Sequence, residues 1–205
     1  NNILKLIIKT QEGLEQILKS EIESLTDEPI QILKRAVSCE GNKDFLYRAN
    51  LHLRTALKVL VVIQEFPVTD DKNLYNQIKK IKWEEYFSLD NTFAIDSVVN
   101  STIFRHSNYI ALKAKDAIVD RFRDNLGARP NVDTTDPDIR INVHIRENIV
   151  TLSLDSSGKS LHMRGYRTQQ VSAPLNEVLA AGLILLSEWN GTTQLVDPMC
   201  GSGTI

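Results

Sequence analysis

The order and period of the apolar residues predict a mixed chain, part α+β and part α/β, and three observations carry that reading. The first sixty-six residues alternate extended and helical patterns in the order βαββαβ. The middle of the chain joins strictly alternating strands to a long amphipathic helix. The last residues place an aspartate at a strand end just before a glycine-rich turn.

Residues 3–8 form a short apolar run, and Thr10 is a candidate N-cap for a helix bearing Leu14, Ile17, Leu18, Ile22 and Leu25 on one stripe. Asp27-Glu28-Pro29 closes that helix, and residues 30–39 read as two strands turning near Lys34-Arg35. Asn42 caps a helix that turns Phe45, Leu46, Ala49 and Leu53 inward. A β-branched strand follows over residues 57–66. This order is the split βαβ, or ferredoxin-like, arrangement.

Pro67 and the polar run Thr69-Asp70-Asp71-Lys72-Asn73 mark a boundary. Leu74, Ile78 and Ile81 share a helical face, and Phe93, Ile95, Ser97 and Val99 alternate as a strand does. Ser107 or Asn108 caps the next helix, where Ile110, Ala114, Ala117, Ile118 and Phe122 form the inward stripe and Gly127 and Pro130 end it. Residues 131–138 are rich in acids and breakers and read as a loop. Ile139, Ile141, Val143 and Ile145, then Val150, Leu152 and Leu154, predict a hairpin turning at Glu147-Asn148. Pro174 is expected at the first position of a largely buried apolar helix ending at Asn190-Gly191. Residues 194–196 are expected to begin a strand.

The 205 residues are 42% hydrophobic and 24% charged, values that exclude a disordered tail and a coiled coil. With a net charge of −2, bulk charge cannot bind the chain to nucleic acid or an anionic membrane, so a polyanion must meet a local patch. Two cysteines, Cys39 and Cys200, exclude a disulfide framework and point to a reducing cytoplasm. The apolar runs are too short to span a bilayer, and Lys5 and Lys9 interrupt any leader-like stretch at the start.

Asp197-Pro198-Met199-Cys200-Gly201-Ser202-Gly203-Thr204 has the make-up of a nucleoside-cofactor loop, because glycine lets backbone amides approach a ligand without a Cβ between. No Gly-Lys-Ser/Thr follows Gly203, so it is not a P-loop, and the dinucleotide spacing is absent. A tight strand-to-helix turn would use glycine in the same way. The string nevertheless resembles the first S-adenosylmethionine motif of THUMP-domain RNA methyltransferases. Residues 154–158, Leu161-His162-Met163-Arg164-Gly165-Tyr166-Arg167 and Ala173-Pro174-Leu175-Asn176-Glu177-Val178 resemble the same family's domain junction and the helix that follows it. In these strings the chain is similar to the bacterial large-subunit rRNA guanine-N2 methyltransferases, often labelled N6-adenine-specific DNA methylases.

That resemblance implies a ferredoxin-like domain over residues 1–66, a THUMP RNA-binding domain over 67–160, a linker over 161–172 and a truncated Rossmann-like methyltransferase domain over 173–205, beginning near Val171. It implies S-adenosyl-L-methionine as cofactor, held by residues 197–204 with Ala173, Pro174 and Leu175 nearby. Asp197 would lie near the cofactor's amino group, and Cys200 would be a small buried packing residue. It also implies structured RNA, 23S rRNA, as partner. The family's catalytic Asp/Asn-Pro-Pro-aromatic string lies beyond residue 205, so no catalytic residue is expected here and the fragment is expected to be inactive. A stand-alone RNA-binding module and a DNA adenine methyltransferase are the rival readings.

Candidate RNA contacts are Arg105, Lys113, Lys115, Arg121, Arg123 and Arg129 along the central helix, where an ordinary charged face is the plainer explanation. With three to five phosphate contacts, this patch would give a log–log salt slope of roughly −2 to −4. Arg164, Tyr166 and Arg167 form a second candidate, able to grip phosphate and stack a base. His52, His106, His144 and His162 lack metal-ligand spacing, and Asp133, Asp136 and Asp138 lack the glycine of a calcium loop, so no metal is expected.

Overall fold

The computed structural model describes residues 3–166 and 174–205, which divide into two units. Residues 1–61 and 159–205 form the first, and residues 62–158 form the second.

In the first unit, β1 (Leu4–Lys9) is the inner strand, antiparallel to both β3 (Ala36–Gly41) and the start of β4 (Lys58–Pro67). β2 (Ile30–Leu33) pairs on the far side of β3, so the order is β2-β3-β1-β4. Arg35 makes the two-residue turn with a left-handed φ of 57°, and Glu15 holds it by accepting the Arg35 amide at 3.0 Å. Helices α1 (Glu15–Glu23) and α2 (Lys43–His52) cover the sheet around a core of Leu6, Ile8, Leu18, Ile22, Phe45 and Val59. Asn42 caps α2 as expected, its side chain accepting the Phe45 amide at 2.8 Å. The expected Thr10 cap does not form. Gly13 takes a φ of 92°, which delays the helix to Glu15, and the Thr10 hydroxyl is buried on the Thr55 carbonyl at 2.6 Å.

Burial in this core pushes the Cys39 thiol up to about 11, whereas Cys200 is exposed. At pH 8 only a small fraction of Cys39 is thiolate, the nucleophilic form. One fast-reacting thiol is therefore expected in the native chain and two after denaturation. Two fast thiols in a native titration would contradict the placement of Cys39.

The last segment of the first unit departs most from expectation. Helix α5 (Glu177–Leu186) starts after Pro174, with Asn176 as N-cap accepting from Val178 and Leu179. Its side chain satisfies the first-turn amides, so the proline is not needed at the helix start. Val178, Ala180 and Gly182 are buried, but Leu183 and Leu186 are exposed, so the helix is covered on one face only. A Cβ on Gly182 would lie 2.6 Å from Leu14, so the glycine permits the close approach of α5. Residues 194–196 do not form the expected strand, and Val196 is 77% exposed. A strand exists only as a hydrogen-bonded ladder, and no described strand pairs with these residues.

In the second unit, β5 (Thr92–Asn100) and β7 (Ile139–Arg146) run parallel, joined through α4 (Ser107–Leu126). β7 turns at Glu147 (φ 51°) into β8 (Ile149–Asp155), as the alternation predicts. β6 (Asn131–Val132) is a two-residue parallel strand on β5, inside the expected loop. α3 (Asp71–Lys80), capped by Asp70, and α4 pack over Phe93, Ile141, Val143 and Leu152. His106 occupies the N-cap position of α4 without a side-chain hydrogen bond, and Ser107 is already helical. No helix among the described residues is long and apolar enough to cross a membrane.

Candidate cofactor loop and nucleic-acid surface

Two left-handed glycines shape the terminal loop. Gly201 has a φ of 54° and Gly203 one of 69°, while a Cβ on Gly203 would touch nothing, so backbone conformation demands glycine there. Asp197 Oδ1 accepts the Met199 amide at 2.9 Å, and Gly203 donates to the Cys200 carbonyl at 2.8 Å, closing two successive turns. Among the described residues no acceptor meets the amides of Gly201, Ser202 or Thr204. A short run of unpaired amides beside a carboxylate suits an amino-acid moiety, whose carboxylate and ammonium need both. The donor set therefore fits the methionine end of S-adenosylmethionine.

Most of this loop lies open, with Met199 88% exposed. Cys200 is exposed too, which corrects the expectation of a buried packing residue, because no described strand covers it. Thr204 is the buried member, and its carbonyl accepts from the Tyr166 hydroxyl at 3.2 Å. Pro174 is exposed and Leu175 half-buried, while Ala173 and Arg167 lie outside the described residues.

Arg164 is committed to the backbone. Its guanidinium donates to the carbonyls of Leu51 (3.0 Å), in the last turn of α2, and Leu53 (2.6 Å), its C-cap, and its amide donates to Glu177 at 3.3 Å. A cation there complements the negative end of the helix. Tyr166 and Arg164, with Arg54, Glu177, Ile184 and Thr204, line a cleft of about 220 Å³ beside the loop. Sequence reasoning overlooked Arg54 and Glu177 because neither stands in a recognisable motif.

The central basic residues do not form one patch. Lys113 sits 3.7 Å from Asp71 and over the Tyr109 ring, whose hydroxyl donates to the same carboxylate at 2.6 Å. Arg123 pairs with Asp120 at 2.9 Å, and Lys115 with Asp116 at 2.8 Å. Arg121 reaches Glu84 through both Nε and Nη2, with a side chain only 21% exposed. Arg105 and Arg129 are exposed and carry no ion pair among the described residues. They flank opposite ends of the twenty-residue α4, roughly 30 Å apart at 1.5 Å per residue.

The hydrogen bond from Arg121 holds the Glu84 carboxyl below the usual carboxylate range. The pair therefore stabilises the fold above the ordinary glutamate pKa, and that contribution is lost as pH falls through the lowered value. Arg121→Ala is expected to cost about 0.5–1 kcal/mol at neutral pH and close to nothing once the pH lies well below the lowered Glu84 value. Urea titrations at several pH values check this, and a cost independent of pH would contradict it.

Three family models match the chain. They are the RlmL ferredoxin-like domain over residues 5–60, the THUMP domain over 68–155 and the RMKL-like methyltransferase domain over 164–205. Among solved structures, a predicted N6-adenine-specific DNA methylase from Listeria monocytogenes is 32% identical over 99% of this chain and 53% of its own, with a TM-score of 0.85. A possible methylase from Clostridium difficile 630 is 31% identical over 99% of this chain and 54% of its own, with a TM-score of 0.86. SMU.472, complexed with SAH, is 28% identical over 100% of this chain and 54% of its own, with a TM-score of 0.84. The chain thus spans about half the length of these relatives. Its domains, in order, are ferredoxin-like, THUMP and the opening of a methyltransferase domain. In that content it is similar to the THUMP-domain methyltransferases.

Proposed function

We propose that the chain is the RNA-binding portion and cofactor loop of an S-adenosylmethionine-dependent RNA methyltransferase acting on guanine N2 of 23S rRNA in the cytoplasm. We place its limits at 1–66, 67–160, 161–172 and 173–205. The observation that carries the reading is the order of domains, a THUMP domain directly ahead of a methyltransferase opening that ends in the glycine loop. S-adenosylmethionine, when bound, supplies a methyl group already activated on a sulfonium, so the protein's task is orientation rather than covalent catalysis. Asp197 holds the ammonium, and the amides of Gly201, Ser202 and Thr204 hold the carboxylate. Pro198, Met199, Cys200, Gly203, Pro174 and Leu175 complete that wall, and Ala173 is a further candidate contact. Arg105 and Arg129 are the RNA contacts that the absence of ion pairs favours, while Lys113, Arg121, Arg123 and Arg164 serve the fold first.

Residues 1–205 hold no Asp/Asn-Pro-Pro-aromatic string, so alone they are expected to transfer no methyl group and to bind the cofactor weakly. Tight stoichiometric binding by calorimetric titration would overturn that part. For the function, the full-length protein is incubated with labelled S-adenosylmethionine and either 23S rRNA or DNA, and the products are digested to nucleosides. Label in N2-methylguanosine is the expected result. Label in DNA adenine alone would overturn the reading.

A further inference from the structure

The C-terminal end of α2 carries nitrogen-bearing side chains that belong to no motif described above. Arg48 and His52 stand one helical turn apart, and Arg54 follows just past the helix end. All three line a cleft of about 440 Å³ in the first unit, a volume within the range of small-ligand sites. Its apolar wall is Leu25, Leu53 and Leu185. Glu21 also borders it, but its carboxylate is turned to the backbone and accepts from the amides of Arg54 (3.0 Å) and Thr55 (2.9 Å) and from the Thr55 hydroxyl. The Arg54 guanidinium meets no acceptor among the described residues. Arg48 lies 4.0 Å from an Asp44 side chain that is 77% exposed, a pair of little strength. Arg164 already donates to the Leu51 and Leu53 carbonyls at the end of α2, so neither arginine is needed there.

We propose that this cleft binds one nucleotide of an RNA strand, with its phosphodiester on Arg48 and Arg54 and its ribose or base on the leucine wall. The inference rests on the RNA-binding reading above and adds a contact on the ferredoxin-like domain. Glu21 is occupied by backbone donors and Asp44 meets Arg48 only across an exposed 4.0 Å pair, so a single phosphodiester finds two guanidiniums to bind it. Guanidinium forks suit phosphate oxygens, and the apolar wall has no use for a bare ion.

The test measures affinity of the 205-residue chain for a labelled hairpin RNA across salt concentrations, with thermal melting of each variant. Arg48→Ala with Arg54→Ala is expected to weaken binding roughly tenfold and to flatten the log–log salt slope by about 0.7–0.9, the share of one phosphate contact. Arg48→Lys with Arg54→Lys should recover the slope but not the full affinity, because the charge returns without the fork. A folded alanine pair that binds like the wild type overturns the cleft and leaves the RNA reading standing. A wild type that does not bind RNA overturns both. If inorganic phosphate at millimolar concentration and constant ionic strength displaces the arginine-dependent binding, the cleft is a free-phosphate site and the nucleotide assignment falls.

Discussion

Replacing Trp83 by alanine is expected to destabilise the second unit by about 3–5 kcal/mol, the range for a large aromatic in a close-packed core. Trp83 is fully buried on a single 3-10 turn between α3 and β5, with its indole N–H on the Ile78 carbonyl at 2.9 Å. Its ring lies 6.0 Å from that of Tyr86 and 6.4 Å from Phe87. Phe87 in turn meets Phe93 at 5.5 Å and Phe122 at 5.1 Å. Truncation therefore opens a void where a turn, a strand and α4 converge, and it removes an indole hydrogen bond as well. Trp83→Phe should fall between, since it keeps most of the apolar volume and loses the N–H donor. Urea unfolding followed by far-UV circular dichroism gives the difference. A loss below about 1 kcal/mol for alanine would mean that the site collapses without cost, against the packing described.

Gly41→Val should have a comparable effect on the first unit, for the opposite reason. A Cβ at Gly41 would lie 2.3 Å from Cδ1 and 2.9 Å from Cγ of Phe45. The ring cannot simply move. Phe45 is buried in the sheet–helix core, and its amide is tied to the Asn42 cap at 2.8 Å. Overpacking of this kind costs about 1–3 kcal/mol, and valine's two extra methyl groups place it at the upper end. Gly41 has no left-handed φ, so the cost is one of space, not of backbone strain. Shortening Phe45 should then rescue the variant. In a double-mutant cycle, Gly41→Val with Phe45→Leu is expected to be less destabilised than the sum of the two changes. Strict additivity would show that the ring is not what valine strikes.

The elements most legible in the sequence were those whose local chemistry has no competitor nearby. Asn42 stands three residues before Phe45 with no rival acceptor, so the cap forms where the pattern predicts it. The β7–β8 alternation persists over fifteen residues, and no single side chain can shift its register. Thr10 looked equally suitable as a cap, but a carbonyl forty-five positions away claimed its hydroxyl, and no local window contains Thr55. Residues 194–196 carry a strand-like pattern, yet a strand is a property of two segments, and the second is missing among the described residues. The glycine loop was legible because left-handed turns need glycine at fixed spacing. The basic residues of α4 were misleading because composition counts charges and not their partners. Arg121 and Lys113 read as available cations until Glu84 and Asp71, each about forty residues away, are seen beside them. Arg48, His52 and Arg54 went unnoticed for the converse reason, since their cleft is walled by Leu185, over 130 residues downstream.

The discontinuity of the first unit has a consequence for synthesis on the ribosome. Residues 62–158 are contiguous and hold their own core, so they can close once their last strand has left the exit tunnel. The first unit cannot be finished so early. Its opening stretch can pair β1 with β3 and β4, but Leu161 must still arrive to donate to the Leu57 carbonyl at 2.8 Å, and Arg164 to cover the end of α2. Translation thus delivers the later-made unit complete before the earlier-made one. In the interval, a nascent chain carries a sheet with bare α2 carbonyls and a leucine-walled hollow still lacking Leu185. That window is where a holdase or a slow codon would matter most, and a stall placed after residue 158 would lengthen it.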